Sequence, residues 1–264
     1  KEILTMAMRS PTSMNTQPWH FHVITGEPLN RIRKGNTDNI LAGVPDSREF
    51  RRGEAFAGVH RDRQVEVAKQ LFGAMGIERD DKDARQDWVL RGFRQFDAPV
   101  CVIVTYDKEL ADSDDTAFDC GAVTTALVNA AWSRGLGCVI NSQGIMQSPV
   151  VREHAGIADD QVIMKSIALG WPDESFPANA VVSERKSVGE ATVFVGFGEE
   201  GALDHWPVED FGEMRVVAAD IEAAPAERRS CDRRILHRTT AAWTAVCQSA
   251  GCRECDGRTA REGC

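Results

Sequence analysis

Apolar and polar residues alternate with two different periods along residues 1–197. Residues 1–9 have helical spacing that stops at Pro11, because proline lacks the amide hydrogen that a continuing helix requires. Residues 18–25 alternate with a period of two, which predicts a strand that ends before Gly26. We expect one face of this strand to carry Trp19, Phe21 and Val23.

The same rules predict two more helices and four more strands. One helix carries apolar residues at Val65, Ala68, Phe72 and Met75 and ends at Gly76. A longer helix spans residues 116–134 and ends before Gly135. We expect its inward face to carry Phe118, Val123, Leu127, Ala130 and Ala131. The strands cover residues 99–106, 138–141, 162–169 and 191–195. This alternation of helices and strands favours an α+β fold.

Composition excludes several classes of protein. The chain has 264 residues and a formal net charge of −9, so it offers no basic surface for nucleic acid or for anionic membranes. Its apolar runs are too short to cross a bilayer, and its first residues do not resemble a signal peptide. We expect a cytoplasmic protein whose first segment is missing from this sequence, since it has no initiator methionine.

Residues 198–264 form a tail of different composition, with nine arginines, five of the eight cysteines and no lysine. We expect it to be a disordered extension or a translation in the wrong reading frame. Two alternatives are weaker. A zinc site could use His237 and Cys247, Cys252, Cys255 and Cys264, but only one C-x-x-C pair is present. The G-x-G-x-x-G spacing at residues 196–201 lacks the helix that a dinucleotide fold requires.

A polar loop joins the first helix to the first strand. Its hydroxyl and carboxamide groups can contact a polar ligand without adding charge, although the same residue types also form ordinary turns. The order of residues from Ser10 to Trp19, SPTSMNTQPW in one-letter code, resembles the helix-to-strand signature of the FMN-dependent nitroreductase family.

Six later stretches resemble landmarks of that family in the same order. They are Phe96–Val100, Asp119–Gly137, Ile140–Gly144, Ala168–Pro172, Ser183–Lys186 and Val193–Phe197. The resemblance covers residues 1–197. The family usually opens with an Arg-Arg-Ser-x-Arg segment before its first helix, and the present chain begins inside that helix.

The resemblance implies a mixed central sheet flanked by helices, and a homodimer with FMN between its subunits. Helix 116–134 and residues 193–197 would then form the dimer interface. The implied FMN-binding residues are Pro11, Thr12, Ser13, Asn15, Gln17, Ser142, Gln143, Gly144 and Arg185. Met14 would face the bound electron acceptor.

The resemblance also implies an enzyme in which NADH or NADPH reduces the flavin, which then reduces a nitroaromatic compound or a quinone. Such ping-pong chemistry needs no catalytic side chain and no metal, because the cofactor carries the reaction. Two alternatives stay open. They are a related flavin-dependent dehalogenase and a non-catalytic module that binds flavin or NADH.

Overall fold

The computed structural model describes residues 1–50, 53 and 55–195, which all lie within one compact unit. The predictions for the tail, the tail zinc site and the glycine motif therefore lie outside the described residues. The helices are α1 (Glu2–Ala7), α2 (Gly26–Leu41), α3 (Gly58–Ala74), α4 (Lys82–Phe93), α5 (Asp114–Trp132), α6 (Ser148–Ala155) and α7 (Val188–Ala191). The strands are β1 (Trp19–Thr25), β2 (Val100–Asp107), β3 (Gly137–Asn141) and β4 (Gln161–Gly170).

The four strands form one sheet in the order β1-β2-β4-β3. All three pairings among the described residues are antiparallel, with Trp19 opposite Tyr106 and Asn141 opposite Ser166. The α+β class is thus confirmed, but the prediction of a mixed sheet is corrected for this part of the chain. The mixed sheet was an implication of the resemblance, because the apolar pattern of a strand is the same whichever way its neighbour runs.

Strand β2 is central, and both of its faces are covered. One face packs with α1 and α5 in a core that includes Val102, Val104, Val123 and Leu127. The other face packs with α2 and α6 in a second core that includes Ile103, Leu29 and Val151. Each fully buried aliphatic side chain contributes roughly 1.5–3 kcal/mol relative to an exposed one. The sheet is therefore the middle layer between two layers of helices.

Two predicted faces need partial correction. Phe118 was expected to point inward, but 77% of its surface is exposed. It lies five residues before the buried Val123, which turns it about 140° away around the helix at 3.6 residues per turn. In β1, Trp19 is buried whereas Val23, predicted on the same face, is 53% exposed.

The predicted strand at residues 191–195 is not part of the sheet. Ala191 ends α7, and residues 192–195 have no regular structure. Ser187 and Glu190 form a capping box, in which each side chain accepts a hydrogen bond from the other residue's backbone. The Ser187 backbone N–H and hydroxyl both donate to the Glu190 carboxylate and lower the pKa of Glu190. The cap begins a short helix that ends at the first residue of the predicted strand.

Three acidic residues, Asp80, Asp81 and Asp83, lie around the start of helix α4, and Asp81 caps it. The Asp81 carboxylate accepts a hydrogen bond of 2.9 Å from the backbone N–H of Ala84. We expect Asp81→Ala to lower the free energy of unfolding by about 1 kcal/mol, the usual cost of losing such a cap. Urea denaturation of this variant should show the loss, and Asp80→Ala, which removes the same charge one residue earlier, should not reproduce it.

Candidate functional site

The loop between α1 and β1 has an unusual backbone. Met14, Asn15 and Gln17 have φ angles of 49°, 62° and 48°, in the left-handed region that residues other than glycine seldom adopt. Such conformations persist only where surrounding contacts enforce them, and they concentrate at binding sites. Met14 is 94% exposed, so the strain presents its side chain to solvent.

Helix α5 holds this loop through one buried carboxylate. The backbone N–H of Ser13 donates to Oδ2 of Asp119 at 3.0 Å, and Asp119 is 3% exposed. Within the loop, the N–H of Gln17 donates to Oγ1 of Thr12 and its side-chain amide donates to the carbonyl of Asn15, both at 3.3 Å. These bonds orient the polar groups that the sequence had singled out.

Asp119 was missed as a functional residue. It lies on the buried face of α5 beside Cys120 and Val123. A carboxylate on the inward face of a helix was the available signal, because buried carboxylates are rare without a partner.

A second loop follows β3 and contains Ser142, Gln143 and Gly144. The backbone N–H of Gln143 donates to Oδ1 of Asn141 at 2.8 Å. Ser142 Oγ accepts from Lys165 Nζ at 2.5 Å. Gln143 N–H, one of the predicted flavin contacts, is thus hydrogen-bonded within the chain, and Asn141 fixes its direction.

Buried carboxamides support this second loop from beneath. Asn36 and Gln95 are fully buried, and both donate to the carbonyl of Gly144, at 2.7 and 3.0 Å. The Asn141 side chain donates to the carbonyl of Gly92 at 2.6 Å. Sequence reasoning missed these residues, because a buried asparagine or glutamine looks like a surface residue until its partner is known.

Gln95 belongs to a turn that is itself constrained. Gln95, Phe96 and Asp97 have φ angles of 58°, 53° and 56°. The guanidinium of Arg33 donates to the carbonyls of Arg94 and Ala98 on either side of the turn. Helix α2, which carries both Arg33 and Asn36, thereby positions the turn and the second loop together.

Ser142 also lines a cleft of about 720 Å³. Other walls come from Arg48, Phe50 and Lys165. Burial, and then the charge of Arg48, lower the pKa of Lys165. The cleft was not predicted, since its walls come from segments far apart in the sequence.

The structure shows no direct hydrogen bond between the two loops and Arg185 among the described residues. Among the described residues, no hydrogen bond joins residues 11–17 to residues 142–144. The Arg185 guanidinium is occupied locally, donating to the carbonyls of Ser183 and Glu184 and to Ser183 Oγ. The roles assigned to these residues therefore stay predictions.

The thiols in the described part of the chain are structural. Burial raises the pKa of Cys101 and of Cys120 to about 12, and that of Cys138 to about 11. These thiols stay protonated and unreactive near neutral pH. The two strand histidines have polar partners, with His20 bonded to Asp107 at 2.7 Å and His22 to Gln161 at 2.8 Å. No cluster of metal-binding side chains occurs among the described residues.

Comparison with known proteins decides the family. The Nitroreductase family model matches residues 1–171, which is more than half of the chain. The chain belongs to the nitroreductase family. The resemblance inferred from its motifs is thereby confirmed.

Two characterised relatives of this nitroreductase family member align over most of its length. Nitrobenzene nitroreductase of Ectopseudomonas oleovorans is 35% identical over 198 residues, covering 74% of this chain and 86% of that protein. A 4-nitrobenzoate reductase of Pseudomonas putida is 30% identical over 204 residues, covering 74% of this chain and 85% of that protein.

Solved nitroreductase structures share the fold. The FMN- and NADPH-dependent nitroreductase NfnB from Sphigopyxis sp. strain HMH superposes with a TM-score of 0.69 at 26% identity. The match covers 74% of this chain and 87% of that one. In the present chain, no helix among the described residues is both long and apolar enough to cross a membrane.

Proposed function

We propose that this protein is an FMN-dependent oxidoreductase that uses NADH or NADPH to reduce nitroaromatic compounds or quinones. The observation that carries the proposal is the alignment, over 74% of the chain, with relatives named for nitrobenzene and 4-nitrobenzoate. The NfnB structure, which is named for FMN and NADPH, supports the choice of cofactor and electron donor. A cytoplasmic location, where both donors occur, fits this function.

The donor set of the chain fits FMN. The first loop offers neutral hydroxyl, carboxamide and backbone groups at Thr12, Ser13, Asn15 and Gln17, which suit the polar edges of a flavin. The second loop adds Ser142, Gln143 and Gly144, and the adjoining cleft is cationic. FMN, when bound, supplies the transfer of hydride between donor and acceptor. These side chains bind and orient it, and none of them needs to form a covalent bond.

We propose that two copies of the chain complete each site. The proposal rests on apolar surface that the described chain leaves exposed, on α5, on the edge strand β3 and in the residues after α7. These residues are Phe118, Trp132, Val139, Ile140, Val193 and Val195. Pro11 to Asn15 of one copy would then contact the same FMN as Arg185 and residues 142–144 of the other copy.

The burial of residues on α5 decides which substitution can test this dimer. Val123 and Leu127 belong to the helix that the resemblance placed at the interface, but both are fully buried in the core of a single chain. A charge at either position is expected to unfold the protein, because an unpaired buried charge costs several kcal/mol. The exposed Phe118 on the same helix is the informative position.

Phe118→Glu is expected to lower the dimer fraction and to release FMN. The added carboxylate would have to be desolvated on association, although it is solvated in the separate chain. Analytical ultracentrifugation that follows the flavin absorbance measures both effects. Leu41→Glu, which charges an exposed apolar residue at the end of α2, serves as the control. A monomeric Phe118→Glu variant with full FMN occupancy would contradict the shared site.

The function itself is tested by the absorption spectrum of the purified protein. We expect flavin bands that NADPH bleaches without oxygen and that nitrobenzene restores. Heat extraction should release FMN rather than FAD. A bound flavin that NADPH does not bleach would indicate the non-catalytic module, and turnover of halophenols but not nitroarenes would indicate the dehalogenase.

A further inference from the structure

The cleft beside Ser142 is positively charged in an acidic protein. The chain has a net charge of −9, yet the cleft wall carries Arg48, Arg61 and Lys165. Among the described residues that line it, none is an aspartate or a glutamate. A cleft lined by one sign of charge concentrates ligands of the opposite sign.

Lys165 is the lysine of this cleft, and its hydrogen-bond partner carries no negative charge. It is partly buried, and its ammonium group donates to the neutral Oγ of Ser142. Within the described part of the chain, no carboxylate forms an ion pair with Lys165, whereas Arg48 is paired with Asp46. A partly buried ammonium is costly without a counter-charge, so a bound anion would stabilise it.

The segment that brings Arg48 and Phe50 to Lys165 is firmly held. Glu49 lies between them in sequence, and its carboxylate accepts two bonds of 2.7 Å from Nη2 of Arg152. It also accepts the backbone N–H of Ile163 on β4 at 2.7 Å. Both partners bond Glu49 from α6 and β4, which fixes residues 48–50 against the strand that carries Lys165. This part of the cleft wall is therefore preorganised.

An aromatic surface lies next to the charge. The ammonium of Lys165 is 5.9 Å from the centre of the Phe50 ring, and that ring packs edge-on against Tyr106. Phe56 adds a second ring to the wall of the cleft. A ligand that combines an acidic group with a planar ring matches both features.

We propose that this cleft binds the acidic group of an aromatic ligand, with Lys165 as its counter-charge. The inference rests on the proposed function, because Ser142 places the cleft directly beside the loop assigned to the flavin. Two sources share this chemistry. One is the carboxylate of an acceptor such as 4-nitrobenzoate, and the other is the phosphate of FMN.

The decisive variant is Lys165→Met, which keeps the apolar stem and removes the charge. Lys34→Met is the matched control, since Lys34 is 77% exposed and lies on α2 outside the cleft. Benzoate titrated into the FMN-loaded full-length protein perturbs the flavin spectrum and reports binding without turnover. Titration of FMN into the flavin-free protein reports cofactor affinity, and KM values for 4-nitrobenzoate and nitrobenzene report selectivity.

Lys165→Met should weaken one ligand by at least about tenfold, as expected for a lost charge-assisted bond, while Lys34→Met changes neither. The cleft is assigned to the acceptor if benzoate binding is lost and the KM for 4-nitrobenzoate rises while the KM for nitrobenzene is unchanged. A raised Kd for FMN at unchanged selectivity assigns it to the cofactor. Lys165→Arg should restore most of the binding in either case.

The proposal is overturned if benzoate and FMN both bind Lys165→Met within twofold of the unmodified protein. Should that variant fail to fold, the salt dependence of ligand binding to the unmodified protein decides. If the affinities for benzoate and for FMN both stay unchanged as the salt concentration rises, the proposal is overturned. Either failure would leave the flavin spectrum and nitrobenzene turnover intact, so it is distinguishable from failure of the proposed function.

Discussion

Gly144→Ala is expected to destabilise the protein by about 2–6 kcal/mol and to weaken FMN binding. A Cβ atom at Gly144 would lie 1.8 Å from Nε2 and 2.2 Å from Cδ of Gln95. Gln95 is fully buried, so its side chain has no solvent to move into. Moving it also breaks its bond to the Gly144 carbonyl, and overpacking and the lost bond each cost about 1–3 kcal/mol.

Thermal unfolding and FMN titration together measure this effect. A loss of about 2–6 kcal/mol lowers the melting temperature by roughly 4–24 °C for a chain of this size. Gly73→Ala is the control, because a Cβ at that exposed position of α3 meets nothing within 4 Å. Adding Gln95→Ala should make the cost of Gly144→Ala smaller, since it removes the clashing side chain. If Gly144→Ala destabilises the protein as much in the Gln95→Ala background as in the unmodified protein, the Gln95 side chain is not what the new Cβ atom clashes with.

Asp119→Ala is expected to weaken FMN binding by roughly 10- to 150-fold while changing global stability much less. The substitution removes the charged acceptor of the Ser13 N–H, a bond worth about 1.5–3 kcal/mol. Without that bond, Met14 and Asn15 can relax from their positive φ angles, and the loop loses its binding geometry. Global stability falls less, because the buried carboxylate also loses its desolvation cost.

Titration of FMN into the flavin-free variants measures this second effect. Asp119→Asn keeps an oxygen acceptor of the same shape, so its affinity for FMN should lie between those of Asp119→Ala and the unmodified protein. Asp115→Ala removes the same charge from an exposed position of the same helix and should leave FMN binding unchanged. Equal FMN affinity in all four proteins would argue against Asp119 as the residue that positions the loop.

The sequence by itself predicted the elements whose signals are local. Helix α5, strand β2 and strand β4 follow from apolar periodicity that each segment carries alone, and the observed bounds differ from the predicted ones by one or two residues. The motif from Ser10 to Trp19 identified the family for the same reason, because loop chemistry and residue order lie within one short stretch. The strain at Met14, Asn15 and Gln17 was not readable, since it is imposed from outside the loop.

Helix α2 shows why some local predictions were missed. Its inward face carries Leu29 and Ile32, but the next buried position is Asn36. A polar residue at an inward position interrupts the apolar period, and only the partner of Asn36, the carbonyl of Gly144, explains its burial. Buried polar groups are tolerated when they are hydrogen-bonded, so the interpretation of Asn36 depends on a contact across the fold.

The tertiary structure alone decided how the site is assembled. It paired the strands antiparallel, placed Asp119 under the first loop and brought Arg48 and Phe50 against Lys165. Each of these features joins residues separated by a large part of the chain, whereas periodicity and turn chemistry describe only near neighbours. A carboxylate, a lysine or a buried amide acquires its role from the charge and hydrogen-bonding groups packed around it, and folding alone determines those surroundings.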